Sequence, residues 1–394
     1  MSSVWMVLIA GRLAVAGSPG LTEIGAVLVP DEDWSDVTDP SVVYAPDTGV
    51  WHLFFGATRS DIEVGEGCDV ARVIGHAESV DGLNWAVDAE PVLAPADDWA
   101  PCGASSPAAL QTATGWHLFY VGHALGDAGV VGAGIGRATG APDGFSPGAR
   151  VVSDEQAADP SAIELYGEIH LAWVTGSELH LAVSEDHGAS WEARGAVLGA
   201  CSFEWLDVGL AGAALSCHED MEVHPFALWI AGVSQNDDVS YGTAMSPDGL
   251  EWYVSSDASE QPDTSWTGWD FLIAGDVQLV YFSRPGEAGD EVVLASTAES
   301  WGEPSSRSCR VDEPASGAGG AGEELHDTDV PDDAGVWDSG QQEPLEDEPP
   351  AEDGDVQAVE SGLADEPTGC GCAGSTGSGS WMLALLLGVL RRRH

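Results

Sequence analysis

Two Asp-Pro steps offer the first chemistry in this sequence: Asp39-Pro40 in TDPSVVYAPDTGVWHLFFG and Asp159-Pro160 in ADPSAIELYGEIHLAW. Each opens a run of β-forming residues, and a Ser-Pro step, Ser106-Pro107, opens a third run of the same shape. Two carboxylates brought to one dry opening do not ionise as they would in water. Burial and mutual repulsion raise the pKa of one or both, leaving one group to act as an acid and the other as a base. That division of labour is what cleavage of a glycosidic bond requires. Further carboxylates stand near related places in the chain: Glu204, Asp207, Glu222 and Asp270.

The elements that must position these groups belong to a repeat. A phrase recurs about every fifty residues: an Asp-Pro or Ser-Pro step, a strand, a tight turn and a second strand with an aromatic centre. It closes on a Ser-x-Asp-Gly-x-x-Trp turn, seen in SVDGLNW (79–85), SEDHGASW (184–191) and SPDGLEW (246–252), with worn copies in GAPDGF and STAESW. A fixed-period repeat sets the fold. The density of large apolar residues in Val50-Trp51-His52-Leu53-Phe54-Phe55 fits strands buried on both faces. No helical stripe runs between residues 20 and 302. A four-stranded sheet cannot bury both faces alone, so the copies must stack radially. The expectation is all-β: a five-bladed β-propeller over residues 17–302. Its blades' first strands line the axis, so Asp39, Ser106, Asp159, Asp207 and Asp270 are expected to converge on one mouth. The turn Asp is read as a cap for its own backbone and the turn Trp as packing between strands. Trp205, Trp266 and Trp269 fall in inter-blade loops, where aromatic faces can stack on sugar rings. His76, His117 and His170 sit beside apolar strand residues and read as core or channel groups, with no metal expected. No nucleophile-elbow motif supports a Ser/His/Asp triad.

Of 394 residues, 12 are basic, all of them Arg, and 66 are acidic, for a net charge of -54. Such a chain is repelled by nucleic acid, which excludes it as a partner, and the balance reads as adaptation to salty surroundings. Surface carboxylates leave calcium open, but no calcium motif is present and no cofactor is expected. Residues 1–16 read as an imperfect signal peptide: the apolar stretch Val4 to Ala10 is followed by Arg12 and by the small-x-small step Ala14-Val15-Ala16. Export permits disulfides, and the expected pairs are Cys68 with Cys102 and Cys201 with Cys217, leaving Cys309 over. Residues 303–369 are Pro, Gly, Ala, Asp and Glu with almost no aromatics, a self-repelling disordered spacer. Residues 370–394 then read as a short membrane-sorting helix. Cys370-Gly371-Cys372 leads to the apolar run Trp381 to Leu390 and to Arg391-Arg392-Arg393, which would stay cytoplasmic.

This ordered tail resembles the MYXO-CTERM sorting signal of myxobacterial and related surface proteins. The resemblance implies a sorting protease acting near Cys370 and Cys372, and anchoring at the outer cell surface. Residues 25–302 resemble the five-bladed clan of arabinanases, β-xylosidases, levansucrases and invertases, on the two Asp-Pro phrases and the Ser-x-Asp-Gly-x-x-Trp turns quoted above. In that clan an Asp on blade one is base or nucleophile, an Asp on blade three tunes the acid, and a Glu on blade four donates the proton. Asp39 and Asp159 match the first two positions. The third departs from the pattern. Glu222-Val-His-Pro looks like the clan's Glu-Gly-Pro but is expected in a hairpin, whereas Glu204 and Asp207 are nearer a strand start. The resemblance therefore implies an oligo- or polysaccharide partner. It leaves two functions open: hydrolysis with the donor among these three, or a glycan-binding module that has lost it.

Overall fold

The computed structural model describes residues 21–304 and 307–309, apart from 96–97, 128, 200–201, 203–208, 218–224, 234–238, 255–258, 261–266 and 276. Among the described residues every regular element is a strand. The strands form five antiparallel meanders. The first runs through Ser35–Ala45, Val50–Arg59 and Ala71–Ser79, with Ala86–Val87 at its edge. The second runs through Gly103–Thr112, Gly115–Gly126 and Gly129–Ala141, and the third through Ala157–Leu165, Glu168–Thr175, Glu178–Ser184 and Glu192–Gly199. The fourth holds Gly209–Cys217, Phe226–Val233 and Val239–Ser246. The fifth holds Thr267–Ala274, Val277–Pro285 and Asp290–Ser296, and takes its outer strand from the other end of the chain, Thr22–Leu28. A single parallel bridge, Arg72 to Gly103, fuses the first two meanders into one nine-stranded sheet.

Each meander's first strand touches the first strand of the next, and the fifth touches the first, so the inner strands form a closed propeller-like ring. Thr22–Leu28 pairs with Asp290–Ser296 and becomes the outermost strand of the fifth meander. The core lies between meanders. Phe54, Ile74, Leu118 and Tyr120 fill the first seam, and Leu53, Phe55, Tyr281 and Leu294 fill the last. This is why the second strands are apolar on both faces: each face meets a neighbouring sheet. Short polar side chains staple the inner strands across these seams. Ser41 Oγ accepts from the Ala109 N–H at 3.0 Å and Ser161 Oγ from the Leu215 N–H at 2.9 Å.

Cys68 and Cys102 form the expected disulfide, with their Cα atoms 5.4 Å apart. Cys217 is also disulfide-bonded, while Cys201 lies outside the described residues. The stretch expected to begin the spacer at 303 first turns back to the ring. Ser308–Cys309 adds a parallel strand to the inner edge of Ala157–Leu165, and Glu164 donates its N–H to the Arg307 carbonyl at 3.1 Å. Arg307 is buried and paired with Asp270. The signal segment 1–16, the rest of the spacer and the sorting segment with Cys370 and Cys372 lie outside the described residues. Among the described residues no helix is long and apolar enough to cross a membrane.

Candidate active site

The ladder between inner and second strand slips at the same level in all five meanders. The slips fall between Thr38 and Ser41, Ser105 and Ala108, Ala158 and Ser161, Leu210 and Gly212, and Thr267 and Trp269. In each, the inner strand carries one residue more than its partner, which is a β-bulge. Proline suits a bulge because it has no ladder N–H to offer. The bulge residues Asp39, Ser106 and Asp159 have φ of 49°, 48° and 47°. The left-handed region is disfavoured for side-chain-bearing residues, more so before proline, and persists where the surrounding sheet over-determines it. The bulge turns these three side chains out of the ladder and into one axial pocket.

That pocket is walled by Asp39, Ser106, Asp159, Gly212 and Gly268, with the three prolines and Trp269 behind them, and its volume is about 20 Å³. It has room for a water-sized group at its floor. The two glycines keep it open. A Cβ on Gly268, whose φ is 55°, would lie 2.3 Å from Asp39 Oδ1, and one on Gly212 would lie 2.9 Å from the Trp269 ring. Ser106 Oγ donates to Asp39 Oδ2 at 2.9 Å, and the Asp39 N–H donates to Ser283 Oγ at 2.8 Å.

Burial raises both carboxyl pKa values. For Asp39 the hydrogen bonds from Ser106 and Thr38 favour the charged form and oppose the shift. Asp159 is pushed up to about 7, first by burial and then by the charge of Asp39. The two carboxyls are thus coupled: a charge on Asp39 makes it harder to charge Asp159, which holds its proton near neutrality.

The other sequence-derived residues fall in three groups. Asp39, Ser106, Asp159 and Trp269 come together as described. Asp270 does not stand at the mouth. The fifth meander's bulge falls at Gly268, so Asp270 lies two residues deeper, at the level of Ser41 and Ser161. There it is only 3% exposed, accepts the N–H groups of Val42 and Phe271, and pairs with Arg307. It is a staple between the fifth and first meanders, with a guanidinium to neutralise it. Trp269 packs on Trp229, Tyr241 and Phe282 and closes the seam between the last two meanders while one edge reaches the pocket. Glu204, Trp205, Asp207, Glu222 and Trp266 lie outside the described residues. In the fourth meander the position equivalent to Asp39 falls at the irregularity between Leu210 and Gly212, later in the chain than Asp207. Thr38, Ser283, Gly212 and Gly268 shape the site without having been singled out. Of these only Gly268, in Thr-Gly-Trp-Asp, carried a signal: a glycine at the end of a strand start that otherwise matches the repeat.

The recurring histidines His52, His117 and His170 sit at one level of successive second strands, buried, with pKa values lowered to about 4 chiefly by that burial. His117 is held by Thr112 and by Arg137.

No known family profile matches the chain, and no curated protein matches it in sequence. Solved structures do match its fold. A GH62 hydrolase in complex with xylotriose is 12% identical, covers 72% of this chain and 98% of its own, and superposes with a TM-score of 0.52. A β-1,2-mannobiose phosphorylase from Listeria innocua is 11% identical, covers 68% of this chain and 94% of its own, and reaches 0.52. A family 117 glycoside hydrolase from the marine bacterium Zobellia galactanivorans is 13% identical, covers 70% and 88%, and reaches 0.50. The chain thus shares its fold with glycoside hydrolases and a phosphorylase of glycosidic bonds.

Proposed function

We propose that this protein is a five-bladed propeller of glycosidase type that binds an oligo- or polysaccharide at the axial mouth and cleaves it by two-carboxylate chemistry. In this reading each meander is a blade. The observation that carries it is the convergence of Asp39 and Asp159, on bulges of equivalent strands, upon one pocket where burial raises both pKa values. Asp39 acts as the base. Asp159 keeps a proton and tunes or supplies the acid, with Glu204 or Asp207 as the further donor. The volume at the floor admits one hydroxyl or water, so the sugar ring would sit above it, among the loops that precede the inner strands. The tail order Cys370-Gly371-Cys372, apolar run and arginines supports export and anchoring at a bacterial cell surface, with the acidic spacer holding the propeller away from the membrane.

One observation favours a second reading, a binding module without catalysis. The fourth inner strand begins Gly209-Leu210-Ala211-Gly212-Ala213, with no carboxylate at the equivalent bulge. A screen of the protein on plant and microbial polysaccharides, with Asp39→Asn in parallel, separates the two. Release of reducing sugar that falls 10²-fold or more in the variant supports hydrolysis. Release unchanged in the variant removes Asp39 from the mechanism, and glycan binding without release supports the module.

A further inference from the structure

We propose that His52, His76 and Glu78 form a binding site for one divalent cation of the zinc class, at the end of the first meander away from the mouth. The three side chains share one face of the sheet: His52 pairs with Glu78 across the ladder, and His76 lies two residues before Glu78 on the same strand. His52 Nδ1 and His76 Nε2 are 3.0 Å apart, His52 Nδ1 and Glu78 Oε1 are 3.7 Å apart, and the three ligand atoms all lie within 4.8 Å of one another. Two zinc–nitrogen bonds of about 2.0–2.1 Å at a tetrahedral angle put the nitrogens roughly 3.3 Å apart. The two nitrogens therefore need to part by only a few tenths of an ångström, the half-exposed Glu78 side chain has the freedom to close on the ion, and a water completes the fourth position.

The surroundings fit. His76 Nδ1 meets Asp88 Oδ2 at 2.7 Å, which turns the lone pair of Nε2 toward His52 and gives a ligating histidine its carboxylate support. Binding moves the His52 proton from Nδ1 to Nε2, so no proton need leave the site. Glu78 and Asp88 bring two negative charges, the number a dication requires. Phe54 and Trp116 close one side with their rings, while Glu78 is half-exposed and leaves an entry path.

Comparison within the ring shows what is added here. His117 and His170 occupy the position of His52 in the next two meanders, so that histidine belongs to the repeat. Opposite His117 stands Thr139, and Arg137 donates to its Nδ1. Opposite His170 stands Val183. Only the first meander places a second imidazole and a carboxylate beside the shared histidine among the described residues. From the sequence, His76, beside apolar strand residues, reads as a core or channel group, with no metal ligand expected here.

The test is titration of the full chain with Zn²⁺ by calorimetry and with Co²⁺ by visible absorption, since cobalt in a tetrahedral nitrogen-bearing site absorbs strongly and cobalt on surface carboxylates does not. One equivalent of Co²⁺ is expected to develop the tetrahedral band. Glu78→Gln and Asp88→Asn are each expected to weaken binding about 10–100-fold, and His76→Gln to abolish the band. Both Glu78 and Asp88 are substantially exposed, so their variants decide the matter even where loss of buried His76 unfolds the sheet. A wild-type chain without the band, or wild-type affinity in the Glu78→Gln and Asp88→Asn variants, overturns the site.

Discussion

Aspartates at the two ends of the same sheets meet opposite fates. At the turn end, Asp81 accepts from the N–H groups of Leu83 and Asn84 and from Ser79 Oγ, all at 2.8–2.9 Å. Asp186 and Asp248 repeat the arrangement, and all three carboxyl pKa values are depressed, Asp186 to about 2. At the mouth end Asp39 and Asp159 are raised. Residue type and repeat are the same. What differs is the number of donors supplied per carboxylate and the water left beside it. The turn end spends its aspartates on folding; the mouth end holds them away from water, in strained backbone, with hydrogen bonds that do not offset the burial. Asp270 is the intermediate case, as buried as any of them yet satisfied by two backbone N–H groups and by Arg307.

The largest expected effect tests that intermediate. Arg307→Ala strands the Asp270 carboxylate in the ring, and breaking a buried pair from one side costs about 3–5 kcal/mol. Urea unfolding should show that loss, and Asp270→Asn in the same background should restore part of it. A loss below about 1 kcal/mol would mean that the segment at 307–309 is not held in the ring in solution.

Next comes the mouth, where the sign follows from the raised pKa. The folded state holds the Asp159 proton up to about pH 7, while the unfolded chain releases it near 3.9. Its stabilising contribution is therefore complete below pH 4 and is lost as pH rises through 7. Asp159→Asn imitates the protonated form, so at pH 8 it should be more stable than the parent by up to about 4 kcal/mol, with the difference vanishing by pH 4. Equal thermal midpoints at pH 8 would show that Asp159 is solvated and not poised.

Much of this contrast was legible in the residues. The Ser-x-Asp-Gly-x-x-Trp turns announce their own caps, because Ser, Asp and Gly each satisfy or permit the turn within a few residues. Asp39 and Asp159 were legible because proline marks the bulge. Asp270 misled because position in the repeat was counted from the chain, and the fifth bulge at Gly268 has no proline to mark it. The relation of His52 to His76 and Glu78 was not legible, since it depends on which residues of two strands fall opposite one another. Nor was Arg307: it stands in a polar stretch that reads as spacer, and only its pairing across the ring gives it a place.

The smallest expected effect belongs to the turn end, and it sharpens the contrast by its sign. Asp81→Ala removes an acceptor for two backbone N–H groups in an exposed turn, which costs about 1 kcal/mol, in line with the loss of a capping side chain. Because the folded pKa values of Asp81, Asp186 and Asp248 are depressed, their stabilisation is present above pH 4 and lost as pH falls through those values, for Asp186 at about 2. Lowering the pH from 8 should then first stabilise the protein through the mouth and afterwards destabilise it through the turns, placing greatest stability at roughly pH 4. In Asp81→Ala the acid limb of that curve should flatten while the limb above pH 6 stays parallel to the parent. If the alkaline limb moves instead, the two ends of the sheets are coupled, and the division between turn and mouth aspartates fails.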